Sequence, residues 1–336
     1  MLTPEHGTCG DGGYRPRVPE PVRDVTVLVV TWRARDLVAG CLAALRRQTV
    51  PHRLLVVDNA STDGTAELLR SFPEARVLRL PRNAGFAGGV AAGLDEVATR
   101  WVALLNDDAA PEPGWLAALL DTARAGGVVA VTSRLLLASG VVNNAGVVLR
   151  PDGYGADRGL GQPDGPPYDV PAEVFGFSGG AALLDTAAVR AAGGFPAPYF
   201  LYYEDTDTSW RLRLGGGRIL YAPGARVRHA HSASADQASA FFSFHNERNR
   251  LLTLTRCAPG RLAARQVAKF PVTTASLAAK RALRRPLPAA PHFRVGLRLR
   301  VLGSYARLLP WALAERHRIS RRSTVDRVAV AERWMR

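Results

Sequence analysis

Two acidic clusters carry the residue types that reactions need. Asn106-Asp107-Asp108 follows the apolar run Trp101–Leu105 directly. Adjacent carboxylates cannot neutralise one another and are ligands for a hard divalent cation, Mg2+ or Mn2+, whose shell a diphosphate would complete. The same three residues also make a good turn. Glu204-Asp205, with Asp207 close behind, opens a helical pattern preceded by Tyr199, Phe200, Tyr202 and Tyr203. Carboxylates at a helix N-terminus are stabilised by its dipole. In a partly apolar pocket one of them can also act as a general base that accepts a hydroxyl proton. His229 ends the stretch that begins at Pro223, and His231 competes with it for any role as a ligand. A lone histidine is more often a plain surface or core residue. Asn83, Gly85, Gly88 and Gly89 have the composition of a phosphate-cradling loop, although glycines before a helix also arise for steric reasons.

The elements that must position these groups follow from apolar periodicity. Asp24–Thr31 is a nearly continuous apolar run rich in β-branched residues, as suits a strand buried on both faces. Asp36 is expected to cap a helix whose Leu37, Val38, Cys41, Leu42 and Leu45 share one side. A strand at Arg53–Val57, a helix near Thr62–Arg70, a strand at Arg76–Leu80, a helix after Gly85 and a strand at Trp101–Leu105 follow. This alternation predicts an α/β fold, a mainly parallel sheet flanked by helices. Ligands of such sheets bind at the carboxyl ends of the strands, where Asp58 and Asp107-Asp108 both fall. After a strand at Val128–Thr132, residues 150–171 are Gly, Pro and Asp with few hydrophobes, which predicts a long mobile loop. A second block has an apolar segment Val174–Leu184, a helix near Thr186–Ala192, a helix through Leu214, a short strand Arg218–Tyr221 and a helix near Gln237–Cys257.

The chain has 336 residues, 47% of them hydrophobic, enough for a substantial core. Residues 1–23 read as a flexible leader, 24–256 as an α/β core and 257–336 as a basic helical extension. No apolar run approaches the roughly 18–20 residues of a membrane-spanning helix. Cys9, Cys41 and Cys257 are far apart and without metal-ligand spacing, as expected in the cytosol. The formal net charge of +15 resides wholly in the tail, since residues before Arg261 balance. There Leu297, Val301, Tyr305 and Leu308 form a stripe beside Arg298, Arg300 and Arg307. A basic amphipathic segment of this kind predicts peripheral attachment to an anionic membrane, on the inner face of the cell membrane. A solvated helical face or an oligomer contact is the plainer reading. No nucleic-acid-binding motif is present.

Taken in order, VVTW at 29–32, VVDNASTDGT at 56–65, NAGFAGG at 83–89, LLNDDAAPEPGWL at 104–116, FSGGAALL at 177–184, FLYYEDTDTSWRLRLGG at 200–216, Pro223 to His229 and ERNRL at 247–251 resemble glycosyltransferase family 2. The resemblance is to its rhamnosyltransferase-like branch with the GT-A fold and covers about residues 24–256, which it implies are a catalytic domain with 24–132 as the nucleotide-sugar-binding half and 133–256 as the acceptor-binding half. It implies a metal-dependent, inverting transfer of a sugar from a dTDP- or UDP-linked donor to a glycan or lipid-linked acceptor. Thr31 and Asp58 would contact the nucleoside, Asn83 and Gly85 would line the donor pocket, and Asp107 would face the ribose or the metal shell. Asp108 and His229 would hold the cation. Asp205 would be the base, Glu204 would orient the acceptor, and Asp207, Arg211, Arg248 and Asn249 would support the site or contact phosphate. Arg33 and Val90-Ala91 depart from the family pattern, which bears on the shape of the donor pocket. A dinucleotide-dependent oxidoreductase is excluded by the lack of Gly-x-Gly-x-x-Gly after the first strand. A nucleotidyltransferase would want a Gly-rich basic loop there, which is also absent. The remaining alternative is a non-catalytic nucleotide-sugar-binding or membrane-associated scaffold, against which the intact carboxylates argue.

Overall fold

The apolar run after Asp24 forms β1 (Val25–Thr31), buried at every residue. Its alternation feeds two cores. Val25, Val27 and Val29 face one cluster, and Leu28 and Val30 face another on the opposite side of the sheet. The structure, a computed structural model, describes residues 24–230 and 239–335. The leader, Cys9, His231 and the expected helix start at Gln237 lie outside these residues. After β1 come α1 (Arg35–Leu45), β2 (Arg53–Asp58), α2 (Thr65–Leu69), β3 (Ala75–Arg79), α3 (Gly85–Asp95), β4 (Trp101–Asn106), β5 (Ala109–Pro111), α4 (Trp115–Ala123) and β6 (Val128–Leu137). The next elements are β7 (Val142–Asn144), β8 (Val147–Leu149), β9 (Gly155–Asp157), β10 (Ala172–Glu173), β11 (Ala181–Asp185), α5 (Thr186–Ala191), α6 (Glu204–Leu214) and β12 (Arg218–His229). The chain continues through α7 (Ala240–Cys257), α8 (Gly260–Ala282), α9 (Val295–Arg322) and α10 (Arg327–Trp334). The main sheet has the order β10-β12-β6-β11-β4-β1-β2-β3. Strands β3, β2, β1 and β4 are parallel, and β11 lies antiparallel between β4 and β6.

Several sequence expectations need correction. Asp36 does not cap α1. The cap position is Ala34, and Asp63 Oδ2 instead accepts the Arg35 N–H at 3.2 Å. The strand expected at Arg218–Tyr221 runs on to His229, with a register shift between Tyr221 and Arg226 around Pro223, which lacks the N–H a regular ladder uses. Residues 150–171 are not a structureless loop. They contain β9, paired with β8, and Tyr168 is buried in the core. Buried Arg134 requires counter-charges and takes Asp169 at 2.7 Å together with Asp164, which fastens the segment to β6.

The tail is helical, as expected, but its apolar stripe is already used. Leu297, Val301 and Tyr305 are buried with Leu251 and Leu252 of α7, and Leu308 packs against the same cluster. An interfacial helix needs that face free, so the stripe itself is not a membrane-binding surface. Part of the positive charge is structural too. Arg316 donates to the carbonyls of Thr255 and Ala258, and Arg327 to those of Arg256 and Cys257. These are the carbonyls that the end of α7 leaves without helical partners. Among the described residues, no helix is long and apolar enough to cross a membrane. Cys41 and Cys257 are free and buried.

Candidate active site

Parallel pairing sets Thr31 opposite Asp58 at the carboxyl ends of β1 and β2. Asp58 is fully buried, accepts the Ser61 N–H at 2.8 Å and faces the Arg79 guanidinium at 3.3 Å. Asn59, to which sequence reasoning gave no role, ties this corner together. Its N–H donates to the Thr31 carbonyl, its Oδ1 accepts the Ala84 N–H at 2.8 Å, and its Nδ2 donates to the Gly85 carbonyl at 2.9 Å. The available signal was its place directly after a strand-end aspartate. Asn83 Oδ1 accepts the Gly85 N–H at 2.8 Å, closing the turn that starts α3. Gly85 has φ +72°, and a Cβ there would lie 2.1 Å from the Phe200 carbonyl oxygen, so only glycine fits.

At the end of β4, burial pushes Asp107 up to about 6, and the charge of Asp108 adds to the rise. Asp108 Oδ1 lies 2.9 Å from His229 Nε2. Strand pairing enforces this meeting: Ala109 of β5 sits opposite His229 of β12, and the Ala230 N–H donates to the Asp108 carbonyl. His229 Nδ1 is 2.8 Å from Asn143 Oδ1, so it acts as the donor there and Nε2 is turned toward Asp108. The pair fits one cation. Two adjacent ligands each about 2.1 Å from an octahedral metal stand about 3 Å apart. No cluster of three or more His, Cys, Asp or Glu suited to a metal occurs among the described residues, so a cation here would draw most of its shell from elsewhere.

Glu204 and Asp205 open α6 after a backbone stretch in which Phe200, Tyr202 and Tyr203 all have positive φ. Such conformations persist where the surroundings hold them. Here Asn249 Nδ2 donates to the carbonyls of Leu201 and Tyr202 at 2.8 and 2.7 Å, and Arg248 donates to that of Tyr199 at 2.6 Å. Asp205 Oδ2 accepts the Gly179 N–H at 3.0 Å and Oδ1 accepts that of Thr206 at 2.6 Å. Burial raises its pKa, opposed by these bonds. Burial, and then the charge of Asp205, raise Glu204 well above the carboxylate range, and Glu204 Oε2 has no hydrogen-bond partner. A continuous path joins the two acidic clusters. Next to Gly179, the Gly180 carbonyl accepts the Asn106 N–H at 2.9 Å, and Asn106 Nδ2 lies 3.3 Å from His229 Nε2.

Two expected participants stand apart. Asp207 is fully buried, bonded to Arg211 at 2.7 Å, Arg256 at 2.6 Å and the Tyr199 hydroxyl at 3.0 Å. Burial would raise it, but the Arg256 and Arg211 charges hold it below the ordinary value. Arg211 also donates to the Ala192 and Gly194 carbonyls. Neither has an atom to spare for acceptor or phosphate, so of the expected roles only structural support fits. Arg248 and Asn249 likewise support, through backbone carbonyls. One further acid was missed. Asp157 of β9 accepts from Asn144 at 2.6 Å and is pushed up to about 6 by desolvation, with the charge of Asp205 raising it and that of His229 lowering it. It therefore lies near both groups, though its residue keeps an exposed side.

The model of the family described as "Glycosyl transferase family 2" matches residues 26–180. N-acetylglucosaminyl-diphospho-decaprenol L-rhamnosyltransferase of Mycobacterium tuberculosis (strain ATCC 25618 / H37Rv) is 31% identical over 256 residues, covering 65% of this chain and 80% of that protein. GalNAc-T7, solved with UDP, GalNAc and Mn2+, superposes with a TM-score of 0.60 at 12% identity, over 87% of this chain and 58% of that one. The mannosyltransferase PcManGT from Pyrobaculum calidifontis, solved with GDP-Man and Mn2+, gives 0.51 at 19% identity, over 94% of this chain and 81% of that one. These two likenesses concern the fold, which is GT-A. The order of the motifs, the family match and the rhamnosyltransferase relative agree, and the chain belongs to glycosyltransferase family 2 and is a glycosyltransferase.

Proposed function

We propose that the chain transfers a sugar, rhamnose by likeness to its relative, from a dTDP- or UDP-linked donor to a hydroxyl of a lipid-linked glycan acceptor, with inversion and with a divalent cation. The observation that carries this reading is the Asp108–His229 pair at 2.9 Å, joined through Asn106 and Gly179-Gly180 to Asp205. Thr31, Asp58, Asn83, Gly85 and Asp107 line the strand ends where the nucleoside diphosphate would lie. Asp108 and His229 would hold the cation, which when bound supplies positive charge to a departing diphosphate. Asp205 takes the proton of the acceptor hydroxyl as that oxygen attacks the anomeric carbon. Its two backbone donors fix the direction from which it does so. Glu204, whose charged form burial disfavours, orients the acceptor. One displacement inverts the anomeric centre. The exposed arginines of the tail favour work at an anionic membrane surface.

Calorimetric titration of UDP and dTDP, with and without Mn2+, into the wild-type chain and Asp108→Ala tests the donor site. Binding that requires Mn2+ and disappears in the variant is expected. A folded protein that binds neither nucleotide would remove this reading.

A further inference from the structure

Two open cavities of about 600 and 560 Å3 adjoin along α9, sharing Ala240 and Arg300 in their walls. Each is of a size at which small-molecule sites are built, about 300–1,000 Å3. Arg281 and Arg294 line the first, Arg307 lines the second, and no acidic residue lines either. All four guanidiniums are exposed, and among the described residues none forms an ion pair. This contrasts with Arg298, Arg316 and Arg327, which the fold uses for carbonyls. The remaining walls are apolar, with Leu287 and Phe293 in one cavity and Phe241 and Phe244 in the other. The groove therefore offers cationic donors and an oily lining side by side. Phosphate oxygens suit the donors and a hydrocarbon suits the lining.

The groove also reaches the catalytic turn. Phe241 packs edge-on against Phe200, ring centres 6.3 Å apart, and its neighbour Phe242 meets Tyr202 at 4.8 Å. Phe200 and Tyr202 belong to the strained stretch that delivers Asp205. We propose that this groove between the start of α7 and α9 binds the isoprenoid diphosphate end of the acceptor, with Arg294, Arg300 and Arg307 on the phosphates and Phe241, Phe244 and Leu287 against the first isoprene units. The proposal rests on the lipid-linked acceptor proposed above and assigns its anionic end to a site outside the donor pocket.

Farnesyl diphosphate is the probe, titrated into the full chain in EDTA so that no cation recruits it to the donor site. The wild type is expected to bind it more tightly than inorganic pyrophosphate or farnesol. Arg300→Ala with Arg307→Ala should weaken it roughly tenfold or more. Arg265→Ala, an exposed arginine of α8 outside the groove, should leave it unchanged, and Mn2+-dependent UDP or dTDP binding should persist in both variants. Equal farnesyl diphosphate binding by the wild type and the double variant overturns the proposal. So does a double variant that loses only its attraction to phosphatidylglycerol vesicles, which would make the arginines a general membrane patch. Absent farnesyl diphosphate binding with nucleotide binding intact sinks the groove alone. Absent nucleotide binding with farnesyl diphosphate binding intact sinks the donor site instead.

Discussion

Asn249 of α7 donates its amide to the carbonyl of Tyr202 at 2.7 Å, on the strained turn that places Glu204 and Asp205. The same amide reaches the carbonyls of Tyr199 and Leu201. Asn249→Ala removes a fully buried donor from a backbone that holds positive φ at bulky residues, a conformation that persists only where its surroundings support it. The turn should relax and Asp205 should drift. A loss of direction of this kind lowers turnover by about 100-fold. Steady-state kinetics should show the loss in kcat, while the nucleotide dissociation constant stays within about twofold of the wild type. An equal loss in nucleotide binding would mean that Asn249 merely holds the whole fold together.

The two adjacent carboxyls at the start of α6 should differ in their response to neutral replacement. Burial raises both, but Glu204 lies well above the ordinary range with Oε2 unpartnered, whereas Asp205 keeps two backbone N–H donors that favour its charged form. The charged form is therefore better supported at Asp205 than at Glu204. Glu204→Gln should retain activity within about tenfold, while Asp205→Asn should lose roughly 100- to 10,000-fold. The charged neighbours of Asp205 are Asp157 on β9 and, when ionised, Glu204. Since the base must be deprotonated, kcat/KM should rise with pH through an acid limb above the usual aspartate value. Removing the Asp157 charge as Asp157→Asn should move that limb down. A limb unmoved by Asp157→Asn would sink the electrostatic link between the two.

Glu204 also couples to stability. Its folded-state pKa is raised, so the folded state is increasingly disfavoured as pH climbs above the unfolded value near 4.5. Glu204→Gln abolishes that cost. The melting temperature of the variant, compared with that of the wild type, should gain between pH 5 and pH 8 by about 2 °C or more. A gap that is constant with pH would show that Glu204 ionises freely.

Much of this site could be read before the fold was known, for a physical reason. Strands covered on both faces give unbroken apolar runs, so β1, β2 and β4 and the acids at their ends announce themselves. Pro223 and Gly224 hid the continuation of β12, because a proline within a strand reads as its end. The order of residues 150–171 depends on Arg134, distant in sequence, and their composition alone reads as loop. Asp157 was lost with that segment. Asn143 was invisible because only the pairing of β7 with β6 and of β6 with β12 brings it to His229. The amphipathic stripe of α9 was legible, but its partner was not: burial against α7 and burial in lipid leave the same pattern in a sequence.

Gly85 joins the corner at Thr31 and Asp58 to the turn before α6. Its carbonyl accepts from Asn59, its N–H donates to Asn83, and the Phe200 carbonyl that crowds it accepts the Ala87 N–H at 3.1 Å. Gly85→Ala places a carbon against backbone, where no side-chain rotation relieves it, in a φ region that alanine disfavours. Both halves of the site should suffer together, with nucleotide binding and kcat each down by about tenfold or more. Gly40→Ala, on the exposed side of α1, is the control, because a Cβ at that position meets nothing within 4 Å. Normal nucleotide affinity in Gly85→Ala would uncouple the two halves.

Asp207 is the clearest case in which the motif residue works for the fold. It neutralises Arg211 and Arg256, both buried, and accepts from the Tyr199 hydroxyl. Asp207→Ala leaves two buried guanidiniums facing one another with no carboxylate between them, a change that costs about 3–5 kcal/mol. Asp207→Asn keeps the shape but not the charge and should fall between the two. Chemical denaturation should rank wild type, Asp207→Asn and Asp207→Ala in falling stability. At a temperature where each variant is still folded, kcat should change much less than in Asp205→Asn. A fully folded Asp207→Asn with no turnover would instead place Asp207 in the chemistry, and the buried network would then have to open during the reaction.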